Sequence, residues 1–173
     1  ASTLADPGEG NSNITGDPTT GYQDMPGLSI GGVTIAVASR NTAFSGNSYA
    51  ASNSSRRMYV GTSGGKVFRV ADPAFCASCT PSEITPSGLS GNGYVSDIAI
   101  NPQNDNELLV TVSNYNVNGV YHTTNANDAT PTWNQVEGGG AVSLASVRSA
   151  LILVSGTTPV YLVGTSTGLY GAD

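Results

Sequence analysis

The chain is poor in charge, in bases and in the residue types that most often carry chemistry. Only 10% of its 173 residues are charged, six of them Lys or Arg and twelve Asp or Glu, and there are one His, two Cys and one Trp. The bases are not clustered, which argues against binding to a nucleic-acid backbone. No apolar stretch approaches the length of a membrane-spanning helix. So little charge in a chain rich in Ser, Thr, Asn and Gly favours an extracellular protein.

Helical periodicity is lacking as well. No window places apolar residues at i, i+3 and i+4 with a charged face opposite. Instead, 22 glycines and many Ser, Thr and Asn residues separate short runs of β-branched and aromatic residues. These runs argue against disorder. They predict an all-β fold of many short strands joined by turns.

One phrase occurs three times at a regular interval. Val-Gly-Thr-Ser begins at Val60 and at Val163, and Val-Thr-Val-Ser begins at Val110, so the spacing is about 50 residues. Each copy lies at the end of a short apolar run. A second apolar run precedes that run in the sequence, and a third follows the phrase. Between the first two runs of the middle unit, the polar triplet 104–106 is predicted to form a turn. A period of this length, filled with short strands, is typical of β-propeller blades.

We therefore expect propeller-like, four-stranded antiparallel blades, about three in number. Residues 1–30 form an irregular Gly/Pro/Asn-rich segment, residues 31–90 the first blade, residues 91–140 the second, and residues 141–173 an incomplete third. The apolar run at 150–154 predicts an inner strand that is covered on both faces. Closed propellers typically have four to eight blades. The chain is accordingly expected to be part of a larger propeller, or to be completed by other copies.

The second half of the chain resembles a known family. Residues 95–102, 113–117, 121–124 with Trp133, 146–148 and 161–170 are similar to secreted β-propeller proteins of Bacteroidota, of the sortilin-like and Asp-box (BNR-repeat) type. Many of those proteins carry a type IX secretion sorting domain. The resemblance is strong over residues 93–173, weaker over residues 31–73 and absent from residues 1–30. It implies a propeller fold and a location outside the cell or at its surface.

The Asp-box of that family is degenerate in this chain. Its counterparts are Thr124, Asp128 and Trp133, but the Gly is missing and the acid is shifted. In the family, the hydroxyl and the carboxylate satisfy amides of a turn between the third and fourth strands, and the Trp packs between strands. The resemblance therefore implies a structural role for these three residues, with a ligand site as the alternative.

The two cysteines, Cys76 and Cys79, lie in a Pro-containing loop between two predicted strands. We expect a small structural disulfide that clips this loop and takes the place of an Asp-box in the first blade. Free thiols, or a metal or redox role, are the alternatives. Two sulfurs alone do not complete a tetrahedral zinc site.

Two charged residues on predicted inner strands, Asp97 and Arg148, are candidate contacts of a central channel. The alternative for Asp97 is a capping or interblade hydrogen bond. A charge at the start of an apolar strand needs a partner, so Arg148 is expected to form a buried ion pair or hydrogen bond. His122 has neither a nucleophile nor a second His nearby in the sequence and is interpreted as a surface or interstrand residue.

The sequence thus favours a non-enzymatic extracellular scaffold for binding or assembly, without cofactor or metal. Its expected partners are the remaining blades of a longer chain or other copies of itself, with glycans or peptides as further ligands. One alternative is a fragment of a secreted glycan-active enzyme, of the glycoside hydrolase or sialidase type, whose paired acids would lie mostly outside this chain. Another is a sortilin-like propeller that binds peptides.

Overall fold

The computed structural model describes residues 30–38, 57–71, 80–89, 91, 93–137 and 145–173. These residues form eleven strands and no helix, which confirms the all-β prediction. The strands are β1 (Val33–Ala38), β2 (Arg57–Thr62), β3 (Val67–Ala71), β4 (Ser82–Glu83), β5 (Val95–Asn101), β6 (Asn104–Val112), β7 (Val120–Thr123), β8 (Asn134–Gln135), β9 (Val147–Ser155), β10 (Thr158–Thr165) and β11 (Leu169–Ala172). Accordingly, this part of the chain has no helix long and apolar enough to cross a membrane.

The strands form three antiparallel sheets that follow one another along the chain. The first sheet has the order β1-β2-β3-β4, the second β5-β6-β7-β8 and the third β9-β10-β11. Each strand pairs with the next one in sequence, so the sheets are built from local hairpins. Two four-stranded sheets and a three-stranded one agree with the strand count expected from the sequence.

The repeated phrase makes the same backbone hydrogen bond in every sheet. The N–H of its Ser donates to the carbonyl of the residue directly before the first strand of its sheet. The three bonds run from Ser63 to Gly32 (2.8 Å), from Ser113 to Tyr94 (3.0 Å) and from Ser166 to Ser146 (2.9 Å). The repeat in the sequence is therefore a repeat in the hydrogen bonding.

The first strands of the three sheets lie side by side, so that β1 packs on β5 and β5 packs on β9. A hydroxyl bridges each junction: Thr34 Oγ1 donates to the carbonyl of Val95 (2.5 Å), and Ser96 Oγ to that of Val147 (2.7 Å). Two apolar clusters fill the space between the sheets. The first contains Tyr59, Val67, Ile84, Leu89, Val95, Ile98, Leu108, Val110, Val112, Tyr121 and Ala126, and the second Ala99, Leu109, Val120, Val147 and Ile152.

The predicted turn at residues 104–106 is wrong. These residues begin β6, and the hairpin turns at Pro102 and Gln103 instead. Pro102 presets the backbone angle that a tight turn needs, and Asn101 Oδ1 accepts the N–H of Gln103 (2.8 Å). Asn101 then pairs with Asn104, which brings the polar triplet into the strand.

The prediction that β9 is covered on both faces is also wrong. Ile152 is buried, but its neighbours Leu151 and Leu153 are 48% and 47% exposed. Alternate residues of a strand point to opposite faces. One face of β9 therefore packs on the second sheet, while no described strand covers the other face.

Candidate functional site

The most distinctive polar cluster surrounds Glu107, a buried residue of β6. Its Oε2 accepts a hydrogen bond from Asn101 Nδ2 (2.6 Å). Its Oε1 accepts from His122 Nε2 (2.9 Å) on β7 and from the hydroxyl of Tyr161 on β10. The imidazole and the Tyr161 ring also meet edge to face, with centroids 5.2 Å apart. The cluster therefore ties three strand segments of the second sheet to the third sheet.

Burial and hydrogen bonding act in opposite directions on the pKa of Glu107. Burial raises it, but the hydrogen bonds from Tyr161, His122 and Asn101 together outweigh burial and lower the pKa below its ordinary value. The pKa of Tyr161 is raised to about 12, because of burial and because its hydroxyl donates to this carboxylate. Glu107 is thus held as the acceptor and Tyr161 as a donor, an arrangement suited to holding two sheets in register.

A groove of about 380 Å³ opens beside this cluster, between the second and third sheets. His122 and Tyr161 contribute polar groups to its wall, and aliphatic side chains form most of the rest. The lining residues are Leu109, Val120, His122, Val136, Glu137, Tyr161, Val163, Tyr170, Gly171, Ala172 and Asp173. An apolar groove with a few fixed polar groups has the character of a binding site.

Sequence reasoning missed Glu107, whereas the interpretation of His122 as an interstrand residue agrees with its contact to Glu107 on the neighbouring strand. The available signal was the position of Glu107, an acid that directly precedes the apolar run at 108–110. A carboxylate that enters a buried strand needs donors nearby. Since one of its donors, Tyr161, lies 54 residues away, the sequence offered no means of finding it.

Asp97, a candidate channel contact, makes the interblade hydrogen bond that was its alternative interpretation. Its Oδ1 accepts the N–H of Ile98 (2.8 Å), and its Oδ2 accepts the N–H of Ala150 on β9 (2.9 Å). Both carboxylate oxygens are therefore used within the protein. Asp97 joins the second sheet to the third at their first strands.

Arg148, the other candidate channel contact, is exposed rather than buried. It lies beside Tyr115, which is 59% exposed. Hydrogen bonds with Ser166 and then with Arg148 lower the pKa of the Tyr115 phenol. The guanidinium therefore has a partner, but at the surface, in the connection between β6 and β7.

The Asp-box-like segment forms a turn between β7 and β8, where the resemblance placed it. Asn125 organises this turn: its N–H donates to Thr123 Oγ1 (3.2 Å), its Oδ1 accepts from the Thr132 N–H (2.9 Å), and its Nδ2 donates to the Asp128 carboxylate (2.9 Å). The hydroxyl in use is that of Thr123, whereas Thr124 is exposed. A side-chain amide, that of Asn125, therefore makes most of the hydrogen bonds that hold this turn.

Two side chains of the first sheet form hydrogen bonds at this turn. Arg69 on β3 donates to the carbonyls of Ala126 (2.6 Å) and Asp128 (2.7 Å). The hydroxyl of Tyr59, which is fully buried, lies 3.1 Å from both the Asp105 carbonyl and Asn127 Oδ1. The turn is therefore part of the junction between the first and second sheets.

Trp133, the third Asp-box counterpart, packs across the same junction. Its indole Nε1–H donates to the carbonyl of Ile84, just after β4 (2.8 Å). The ring lies against the apolar cluster between the first two sheets. Its contacts within the described residues thus join the two sheets.

Replacing Tyr59 by Phe is expected to lower the free energy of unfolding by about 1–2 kcal/mol, because the buried acceptors lose their shared donor. Burial, with the nearby Asp105, raises the pKa of this phenol to about 12, so it stays protonated at neutral pH. Urea denaturation of both proteins measures the change. Tyr94→Phe, at a 45% exposed ring, should change stability by less than about 0.5 kcal/mol. Equal effects of the two substitutions would contradict a stabilising role for the hydrogen bonds of the Tyr59 hydroxyl.

Cys76 and Cys79 lie outside the described residues, so their disulfide stays a prediction. No group of three or more His, Cys, Asp or Glu side chains suited to a metal ion occurs within the described ranges. No protein-family model matches the chain, and no curated protein matches it either.

Proposed function

We propose that this chain is a non-enzymatic extracellular scaffold of propeller-type blades, which binds or assembles through the surface left open by its third sheet. The observation that carries the proposal is the face of that sheet that no other described sheet covers. Leu151, Leu153 and Leu169 on it are 48%, 47% and 73% exposed. Large apolar side chains grouped on one exposed face are typical of interaction surfaces.

The positions of these side chains in the strand register support the proposal. In the first sheet, Gly61 pairs with Val67, and Tyr59 pairs with Val37. In the third sheet, the corresponding pairs are Gly164 with Leu169, and Leu162 with Leu151. These four positions of the first sheet face the second sheet, where Tyr59, Val67 and Val37 belong to the shared apolar cluster. The same four positions of the third sheet therefore present a surface for a further sheet.

The second sheet follows the same rule. Its Leu109, at the position of Tyr59 and Leu162, is 2% exposed and lies in the cluster shared with the third sheet. Two of three equivalent faces are thus covered by the next sheet along the chain. The expected occupant of the third face is another such sheet, from the remaining blades of a longer chain or from another copy. The low content of charge and the single Lys are consistent with an extracellular location.

Introducing two charges on this face, as Leu151→Lys with Leu153→Lys, is expected to abolish self-association of the chain. Lysines there would have to be desolvated against an apolar partner. Sedimentation velocity of residues 1–173 over a range of concentrations measures the effect. The wild-type chain should show concentration-dependent assemblies, and the double variant should sediment as a monomer with an unchanged melting temperature.

The matched control adds the same charge elsewhere, as Ser87→Lys with Thr130→Lys, two exposed polar positions. This control should assemble like the wild type. A wild-type chain that stays monomeric at every concentration would refute self-assembly and would leave a longer chain as the source of the missing surface. Equal loss of assembly in both double variants would point to net charge rather than to this face.

A further inference from the structure

The third sheet has an open edge where the other two sheets carry a short fourth strand. In the first sheet β4 pairs with β3, and in the second sheet β8 pairs with β7. In the third sheet, β11 occupies the place of β3 and β7. No described strand pairs with its outer side. By the register, Val67, Val120 and Leu169 are equivalent, since they pair with Gly61, Thr111 and Gly164 of the repeated phrase.

The residue after each fourth strand makes the same backbone hydrogen bond. The N–H of Ile84 donates to the carbonyl of Val67 (2.8 Å), and the N–H of Val136 donates to that of Val120 (3.1 Å). The surroundings of the two side chains differ. Ile84 is 3% exposed, whereas Val136 is 44% exposed. The same position in two sheets is thus covered in one and open in the other.

Trp133 is one of the residues that cover the junction at Ile84. It directly precedes β8, the fourth strand of the second sheet, and its indole bonds to the carbonyl of Ile84 (2.8 Å). A counterpart in the third sheet would directly precede a fourth strand paired with β11, and it would cover Val136. The groove of about 380 Å³ lies at that place, bounded by Val136, Tyr170 and Ala172. The open edge and the groove are therefore two parts of one unfilled site.

We propose that β11 and this groove form a strand-addition site for an extended peptide segment. The segment has a bulky aromatic residue, two strand residues and an aliphatic residue in succession, as in the chain's own residues 133–136. In the register of β8, the two strand residues pair with Gly171 and Tyr170, and the next N–H donates to the carbonyl of Leu169. The aromatic side chain fills the groove beside Val136. Backbone hydrogen bonds supply affinity in such additions, and the side-chain pocket supplies selectivity.

The charges around the groove indicate which charge the residues flanking the peptide core should carry. Glu137 and Asp173 line the groove, and the described lining residues include no Lys or Arg. The chain as a whole has a net charge of −6. A segment with basic residues beside its aromatic core is therefore favoured over an acidic one. The inference rests on the proposed function, because it identifies one way in which other polypeptide completes the third sheet.

The test uses a labelled synthetic peptide, Lys-Pro-Thr-Trp-Asn-Gln-Val-Lys, whose centre copies residues 131–136. Fluorescence anisotropy measures its binding to residues 1–173 and, separately, to the Leu151→Lys/Leu153→Lys chain, which keeps the groove. We expect saturable binding to both proteins. The same peptide with Ala in place of Trp should bind at least about tenfold more weakly. Absence of saturable binding, or equal affinity of the two peptides, would overturn the proposal.

A variant whose side chain fills the groove provides a second test of the strand-addition site. Ala172→Trp, at an exposed position of the groove wall, should prevent binding of the peptide, whereas Thr157→Trp, exposed in the β9–β10 turn, should leave it unchanged. Far-ultraviolet circular dichroism checks that both variants keep the fold. Sedimentation of the same samples separates the two hypotheses. Assembly without peptide binding refutes only the strand-addition site, and peptide binding without assembly refutes only self-association through the open face.

Discussion

Replacing Gly61 by Ala is expected to destabilise the protein by about 1–3 kcal/mol, the usual cost of overpacking a close interface. A Cβ at this position would overlap Val95 Cγ1 of the second sheet and would lie 2.8 Å from Ile35 Cγ2. Val95 is fully buried at the start of β5, so it has little room to move. The substitution thus forces the first two sheets apart, and urea denaturation at neutral pH measures the loss in the free energy of unfolding.

Gly164 provides a matched control, since it occupies the same position in the phrase of the third sheet. A Cβ there would meet the Ser149 hydroxyl, which is the end of a rotatable side chain, and would otherwise face the open surface. Gly164→Ala is therefore expected to leave stability within about 0.5 kcal/mol, or to raise it, because Gly in a strand loses more backbone entropy than Ala on folding. Equal losses at the two glycines would contradict the close packing of the first two sheets.

The comparison of these glycines also separates packing within the chain from assembly between chains. If the face of Gly164 receives another sheet, Gly164→Val should reduce self-association in sedimentation experiments without lowering the stability of the isolated chain. The two glycines are identical in local sequence. They differ in their cross-strand neighbour, Ile35 or Ser149, and in whether the described residues include a sheet that covers them.

The strands and their order were predictable because they depend on local pattern. The Val-Gly-Thr-Ser phrase at Val60 and Val163 marks equivalent strands, and the amide of its Ser makes the same bond each time. The positions of the turns were less predictable from polar residues in the sequence. The polar triplet at 104–106 lies in β6, because Pro102 and the Asn101 side chain form the turn before it.

Interactions between the sheets were largely not predictable. Ile84 and Val136 follow their fourth strands in the same way, yet only Ile84 is covered, because it lies in the apolar cluster between the first two sheets, against which Trp133 of the second sheet packs. Likewise, nothing near Arg148 in the sequence indicates Tyr115 as its neighbour. Such contacts depend on how the sheets stack, and that is decided by many weak side-chain interactions rather than by the period of a strand.

The buried carboxylate of Glu107 leads to the second large effect. Glu107→Gln is expected to lower the free energy of unfolding by about 2–3 kcal/mol at pH 7, because hydrogen bonds to a charged acceptor are stronger than bonds to a neutral one. The new amide nitrogen would also face the Asn101 Nδ2 donor or displace an oxygen from the donors His122 and Tyr161. Glu83→Gln is the matched control. Its exposed salt bridge with Lys66 (3.0 Å) contributes less than about 1 kcal/mol.

The effect of Glu107→Gln should depend on pH in a defined direction. The pKa of Glu107 is lower in the folded protein than its ordinary value, because the hydrogen bonds from Tyr161, His122 and Asn101 outweigh the opposing effect of burial. The carboxylate therefore stabilises the fold above the unfolded-state pKa of about 4.3, and this contribution is lost as the pH falls through the lower folded-state value. Urea denaturation of both proteins between pH 7 and pH 3 should show their difference shrinking towards acid. A difference that stays constant over this range would mean that the charge of Glu107 does not hold the second and third sheets together.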